Sequence, residues 1–407
     1  MFVFGDYIYT KSSKILQAFS YEEAMQCLNI MQLHAKRKKK GYYVGYLTYE
    51  CGLLLQDSYY GVIKNRSKPS EPILYFELFL KRKKFKKKIK NKNFIAHKKQ
   101  LFDIIKPLDK MRYEKDFRDI KKNIKAGHTY QVNYTQEIIL KPLLSLDSFT
   151  YFKLLATRQS TQYKAYITNK YVQILSFSPE LFFHFSNHKI TAQPMKGTIG
   201  RALFHTNNKQ REREAKLHTK HNWNLYKKYR KIKKIKNVDR LNDFNNIKTL
   251  HYDSKNRSEN VMIVDLLRND LSRIAKQGSV RVKELFGIKT YKTLHQMVST
   301  IQAKLPPSYG IIEIFQALFP CGSITGAPKY KTTEIISELE NRNRNVYCGA
   351  IGVIGAKETI MNVPIRTLYK HAKEECYHYG VGSGVVWDSN VYEEFDELQL
   401  KCKFLTK

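Results

Sequence analysis

Tyr163-Lys-Ala-Tyr-Ile-Thr-Asn169, Tyr171-Val-Gln-Ile-Leu-Ser-Phe177 and Leu181-Phe-Phe-His-Phe-Ser186 follow one another with only one and three residues between them. Each is short and rich in β-branched and aromatic residues, which is the composition of a sheet strand. The same texture recurs upstream at 130–140, in Gly41-Tyr-Tyr-Val-Gly-Tyr-Leu-Thr-Tyr49 and in Ile73-Leu-Tyr-Phe-Glu-Leu-Phe-Leu80. Helical spacing interrupts it at 112–125, where Tyr113, Phe117, Ile120 and Ile124 recur at four, three and four, one apolar face of a helix that Gly127 stops. Beyond 256 strands and helices alternate, with glycine-rich stretches at Gly322–Gly326, Gly349–Gly352 and Gly380–Gly384 read as turns. No regular β-α-β spacing, G-x-G-x-x-G after an early strand or P-loop is present, so the pattern favours an α+β sheet protein over a doubly wound nucleotide fold.

The chain has 407 residues, 42% of them apolar and 13% aromatic, enough to bury a sizeable core. No apolar run reaches the roughly 18–20 residues of a membrane span, and Met1-Phe-Val-Phe-Gly-Asp-Tyr7 lacks a basic region followed by an apolar one. The reading is a cytoplasmic protein that does not engage a membrane. Six cysteines (Cys27, Cys51, Cys321, Cys348, Cys376, Cys402) contain no C-x-x-C pair, which argues against a zinc ribbon or a disulfide framework. The formal charge is +36, a balance that nucleic-acid-binding proteins share. It concentrates in 81–99, with 11 basic and no acidic residues, and in 200–258, with 17 basic and 5 acidic. Such runs are usually solvated faces, and no nucleic-acid partner is expected. The segment 202–256 has no sustained apolar period and reads as a basic insertion.

Several motifs carry chemistry. Glu259-Asn-Val-Met-Ile-Val-Asp-Leu-Leu-Arg-Asn-Asp270 combines an acidic start with an apolar stripe, a helix with Glu259 near its first turn, which dipole complementarity alone would also explain. Glu394 and Glu397 sit three apart on a C-terminal helix that reaches Lys401. Their like charges call for a cation, and Mg²⁺ held by one or two carboxylates together with an anionic substrate is the economical one. Pro320-Cys-Gly-Ser-Ile-Thr-Gly-Ala-Pro-Lys329 leads small residues into a helix start, where backbone amides can receive a carboxylate or phosphate. Gly380-Val-Gly-Ser-Gly384 can do the same. Pro194-Met-Lys-Gly-Thr198 places Lys196 in a short turn, and His295 stands in a strand-like stretch.

Taken in order, these segments closely resemble the chorismate-utilising enzymes: anthranilate synthase component I, aminodeoxychorismate synthase component I, and the isochorismate and salicylate synthases. Tyr130 through Gln136, Ser178 through Phe182, Gly278 through Val282 and Ile365 through Leu368 belong to the match, which spans about 110–405. The resemblance implies two large, mainly antiparallel sheets packed face to face with helices outside. It also implies one catalytic domain over 1–407, with 1–110 contributing strands and 111–407 binding chorismate. Carried over residue by residue, Glu259 and Glu397, with Glu394 beside them, resemble the Mg²⁺ carboxylates; Asn256 stands where the family often has a further acid. Arg366, Lys401 and the amides around Gly382 and Gly384 resemble the clamp on the substrate's carboxylates. Thr198, Ser323 and Tyr347 match positions lining that pocket, Glu180 a proposed acid/base carboxylate and His295 a residue beside the departing hydroxyl.

Two positions narrow the reaction. The water-using synthases have a lysine base where this chain has Gln131. Anthranilate synthases have an alanine where this chain has Lys196, whereas aminodeoxychorismate synthases have a lysine, which resembles a covalent nucleophile whose amine must be neutral to attack. The resemblance therefore implies amination of chorismate to 4-amino-4-deoxychorismate, the precursor of 4-aminobenzoate in folate biosynthesis. Anthranilate synthase component I is the rival within the family, and a basic nucleic-acid-binding protein with a dead site the rival outside it. No cysteine lies in a G-x-C-x-G turn, so ammonia from glutamine requires a separate glutamine amidotransferase subunit.

Overall fold

The computed structural model describes residues 1–56, 70–85, 100–159, 161–201, 238–291 and 294–406. The run at 86–99 and the basic stretch 202–237 lie outside the described residues. The chain divides into two compact units, one of Met1–Pro194, Ile263–Arg281 and Ile301–Lys407, the other of Met195–Met262 and Val282–Thr300.

In the first unit every strand pairing is antiparallel, among the described residues. One sheet runs β2 (Tyr7–Ala18), β4 (Leu74–Lys84), β3 (Tyr42–Leu47), β15 (Ala350–Gly355), β16 (Thr359–Asn362), β9 (Leu181–Ser186), β10 (Lys189–Gln193) and the end of β13 (Leu294–Lys304). A second runs β7 (Ala165–Thr168), β8 (Val172–Ser176), β17 (Thr367–His371), β18 (Tyr377–Val385) and β6 (Gln131–Pro142). Both β5 (Phe102–Lys106) and β14 (Gly326–Ala327) pair with β6. β1 (Phe2–Phe4) pairs with β2 and β7 and so links the two sheets. The three stretches quoted first are β7, β8 and β9, and β9 turns into β10 through Asn187 and His188, at φ 51° and 57°. Two successive left-handed residues make the tight turn whose twist suits a hairpin.

Side chains alternate between two cores, as a two-residue period demands. Ala165, Ile167, Ile174 and Tyr369 join Val44, Phe76 and Ile351 in a core shared by both sheets. Tyr166, Leu175 and Leu368 face the other way, under the helices. Because both faces are covered, these strands read as nearly continuous apolar runs. Outside lie α3 (Lys110–Lys125), α4 (Ser148–Arg158) and α9 (Val391–Thr406), contributing Tyr113, Phe117, Phe152, Leu155, Phe395 and Leu398. Among the described residues the remaining helices are α1 (Tyr21–Lys36), α2 (Tyr49–Leu54), α5 (Val238–Tyr252), α6 (Ser254–Ser272), α7 (Ile311–Leu318) and α8 (Lys329–Glu340). Asp109 caps α3, accepting from the Arg112 amide at 2.9 Å, and Gly127 at φ 76° follows its end, as the periodicity predicts. No described helix is long and apolar enough to cross a membrane.

Two glycine-rich stretches are strands, not the turns expected from sequence. A Cβ on Gly352 would lie 2.0 Å from the Ile360 carbonyl oxygen, and one on Gly382 2.6 Å from Thr135 Cγ2. Glycine serves there for close strand approach.

Candidate active site

In the second unit, β11 (Met195–Gly200) pairs with β13 and slips register between Met195↔Val298 and Thr198↔Gln296. Lys196 and Gly197 together oppose Met297, a bulge with Gly197 at φ 78°. A bulge re-aims the side chain it carries, and Lys196 Nζ stands 3.5 Å from Glu259 Oε2, both side chains mostly buried. The turn expected at Lys196 is thus a kink within a strand. Asn256 packs on Gly197, where a Cβ would lie 2.7 Å from its Cγ. Glu259 falls in the second turn of α6, which starts at Ser254. Thr198 is exposed on β11.

His295 is fully buried. Its Nδ1 pairs with Thr290 Oγ1 at 2.9 Å and its Nε2 with Asp243 Oδ1 at 3.0 Å. Arg201 donates to the same carboxylate, Nε to Oδ2 at 3.0 Å, with Nη2 2.9 Å from Oδ2. Burial alone would raise the Asp243 carboxyl, yet the bonds from Arg201 and His295 outweigh it and hold it below the usual aspartate value. Sequence reading missed Asp243. It lies on α5, within the stretch 202–256 read as an insertion with little core contact. From 238 onward the stretch does reach a core: α5 buries Leu250 against Phe286 and Met297.

In the first unit, the link from β8 to β9 carries Glu180. It is buried and accepts from Ser323 Oγ at 2.7 Å. Ser323 sits in a single turn of 3₁₀ helix, Gly322–Ile324, against which Leu266 of α6 packs closely. The following Lys329 binds Asp270 at 2.6 Å. Burial raises that aspartate despite the ammonium beside it. Tyr347 is buried with its ring against Gly380, and burial pushes its phenol well up. Arg366 takes a left-handed φ of 53° just before β17.

Lys401 Nζ donates to the Gly382 carbonyl at 2.7 Å and stands 2.8 Å from Glu397 Oε1. Lys401 lies one turn along the same helix from Glu397 and pairs with it directly. Glu394 is buried and accepts from Ser389 Oγ at 2.8 Å. Gly382 and Gly384 lie in the β18–β6 ladder opposite Thr135 and Asn133. Gln131 is buried with neither side-chain polar atom hydrogen-bonded, which costs about 1–3 kcal/mol per group unless a ligand completes it. The structure thus joins Lys196 with Glu259, Glu180 with Ser323, Tyr347 with Gly380, and Lys401 with Glu397 and Gly382.

The model of the family described as chorismate binding enzyme matches residues 5–407. Aminodeoxychorismate synthase component 1 of Salmonella typhimurium is 34% identical over 293 residues, 71% of this chain and 56% of that protein. The chain thus spans about half the length of such relatives. Among solved structures, a 2,3-dihydroxybenzoate-specific isochorismate synthase from Bacillus anthracis aligns with TM-score 0.71 at 15% identity, over 99% of this chain and 94% of that one. Anthranilate synthase component I from Streptococcus pneumoniae aligns at 0.70 and 18%, over 100% and 92%. These likenesses establish the α+β fold with its antiparallel sheets.

Proposed function

The chain belongs to the chorismate binding enzyme family, and on that premise we propose that it aminates chorismate to 4-amino-4-deoxychorismate. The observation that carries the reading is Lys196, set on a bulge with Nζ 3.5 Å from Glu259. Lysine is the residue type that the covalent route requires, and relatives named for aminodeoxychorismate synthesis support it. Neutral Lys196 Nζ adds at C2 of the ring and gives up a proton, both ring double bonds shift one position (C1=C2 to C1=C6 and C5=C6 to C4=C5), and the C4–O bond breaks as the hydroxyl leaves as water with a proton from an acid. Ammonia then adds at C4 and loses a proton, both double bonds shift back, and the C2–N bond breaks as the lysine nitrogen takes up a proton and returns as the amine.

The other roles follow the chemistry of each group. Glu180, buried and bonded to Ser323, is proposed as the acid/base carboxylate, and His295, whose two nitrogens are bonded to Thr290 and Asp243, as a residue beside the departing hydroxyl. Gln131 offers an unused donor and acceptor to the incoming ammonia. Arg366, Lys401, Tyr347, Ser323, Thr198 and the Gly382–Gly384 backbone are proposed to bind substrate. Glu259, Glu394 and Glu397 present only carboxylate oxygens, a donor set that fits a hard cation, and they are the residues proposed to hold Mg²⁺. When bound, Mg²⁺ supplies charge neutralisation for carboxylate and departing hydroxyl.

The name component 1 on the relatives supports a glutamine amidotransferase subunit as ammonia source. Five of the six thiols are buried, in keeping with a cytoplasmic setting. The test is Lys196→Ala assayed with chorismate, Mg²⁺ and ammonium. The 4-amino product should fall at least about 100-fold while chorismate still binds; a parent rate of that product would refute the covalent route.

A further inference from the structure

A second cluster of ligand-bearing side chains lies wholly in the first unit, at the β17–β18 hairpin, and no role above uses it. His371 ends β17, Glu374 lies in the connecting turn, and His378 is the second residue of β18. One ligand atom from each lies within 4.8 Å of the other two. We propose that His371, Glu374 and His378 form a binding site for a transition-metal dication of the Zn²⁺ type.

The imidazoles are held as metal ligands are held. His371 Nδ1 bonds Glu71 Oε1 at 2.6 Å, and His378 Nδ1 bonds Glu137 Oε2 at 3.0 Å. Tyr369 in turn donates to Glu137 Oε1 at 2.8 Å. A carboxylate on Nδ1 fixes that nitrogen as a donor, and this outer bond orients the ring and raises its basicity, as on a metal-ligating histidine. Tyr369 stacks on His378 at 5.2 Å and 18° and meets His371 edge-on at 5.5 Å, so both rings are braced. Without the ion, His378 Nε2 donates to Glu374 Oε2 at 2.7 Å, and a bound metal would take the place of that proton between the two atoms.

Ligand chemistry selects the ion. Mg²⁺ and Ca²⁺ take oxygen ligands, whereas two imidazoles and a carboxylate suit Zn²⁺, Co²⁺ or Ni²⁺. Three protein ligands leave a fourth position for water. Glu374 is partly exposed, which gives the ion a way in. Bound there, it would clip the hairpin turn to both strands.

The test uses the tag-free full chain carrying Cys376→Ser, so that the thiol in the same turn cannot contribute, in excess Mg²⁺ to saturate carboxylate sites. Co²⁺ is titrated by its visible d–d bands, and Zn²⁺ by calorimetry. The site predicts one equivalent of Co²⁺ with a tetrahedral spectrum, displaced by Zn²⁺, and a raised melting temperature. His371→Ala and Glu374→Gln, at partly exposed positions, should each weaken binding at least about 100-fold, and Glu71→Gln about 10–100-fold. No stoichiometric uptake, or parent affinity in both His371→Ala and Glu374→Gln, would overturn it.

Discussion

Asp243→Ala removes the acceptor that ties Arg201 to His295, and its cost can be worked from the contacts. The variant loses Arg201 Nε at 3.0 Å, Arg201 Nη2 at 2.9 Å and His295 Nε2 at 3.0 Å. A bond to a charged group contributes about 1.5–3 kcal/mol, and breaking a buried ion pair costs about 3–5 kcal/mol. Arg201 keeps 20% side-chain exposure and can rehydrate, so the low end applies, about 3 kcal/mol. Because the chain has two units, the assay should be local: amide hydrogen exchange over peptides covering 238–252 and 294–300. A loss of 3 kcal/mol is about a 100-fold fall in protection. The pH dependence follows from the lowered Asp243 carboxyl. A depressed folded value stabilises fully above the unfolded value of about 3.9 and is lost as pH falls through the folded one. The gap between parent and variant, compared at matched pH, should therefore be full above about pH 5 and narrow below about pH 4. A protection change worth less than about 0.5 kcal/mol, the scale of an ordinary surface substitution, would refute the network, and so would a gap that ignores pH.

Three further outcomes are expected. Glu259→Gln should abolish turnover while leaving far-UV circular dichroism unchanged, and chelator should do the same to the parent; full activity in excess chelator would exclude the metal role. Excising 204–234 should leave activity intact, whereas a cut extended through 252 should abolish it, because it takes Asp243 and Leu250 with it; equal activity of the two deletions, measured as initial rates, would contradict this. With ammonium salts the rate should climb from pH 7 toward pH 9, since small amines carry pKa values of about 9–10 (compare about 10.4 for Lys), while glutamine-dependent rates measured with an added amidotransferase subunit should not follow that curve.

Strands and helices with a strong period were legible in the sequence, because burial against the core leaves a run such as 74–80 apolar at every position but Glu77. Glycine was harder to read. Gly197 does sit at a positive φ, as a turn glycine would, but Gly352 and Gly382 are there because a sheet partner passes too close for a Cβ. The motifs around Lys196, Glu259, Ser323 and Lys401 stood out as chemistry before any contact was known, yet their pairing was not in the spacing. Lys196 meets Glu259 through a one-residue register slip, and Glu397 pairs with Lys401 of its own helix. Asp243 left no signal in a lysine- and asparagine-rich stretch without an apolar period. Its one pointer was Arg201, whose charge needed a partner that only folding could identify.

The most direct test of the central claim is product identification. Purified chain is incubated with chorismate, Mg²⁺ and ammonium chloride at alkaline pH, and the products are separated by chromatography and weighed by mass spectrometry. The account predicts 4-amino-4-deoxychorismate, dependent on Mg²⁺ and on Lys196. Anthranilate as the main product, or chorismate recovered unchanged from a folded chain, would contradict it.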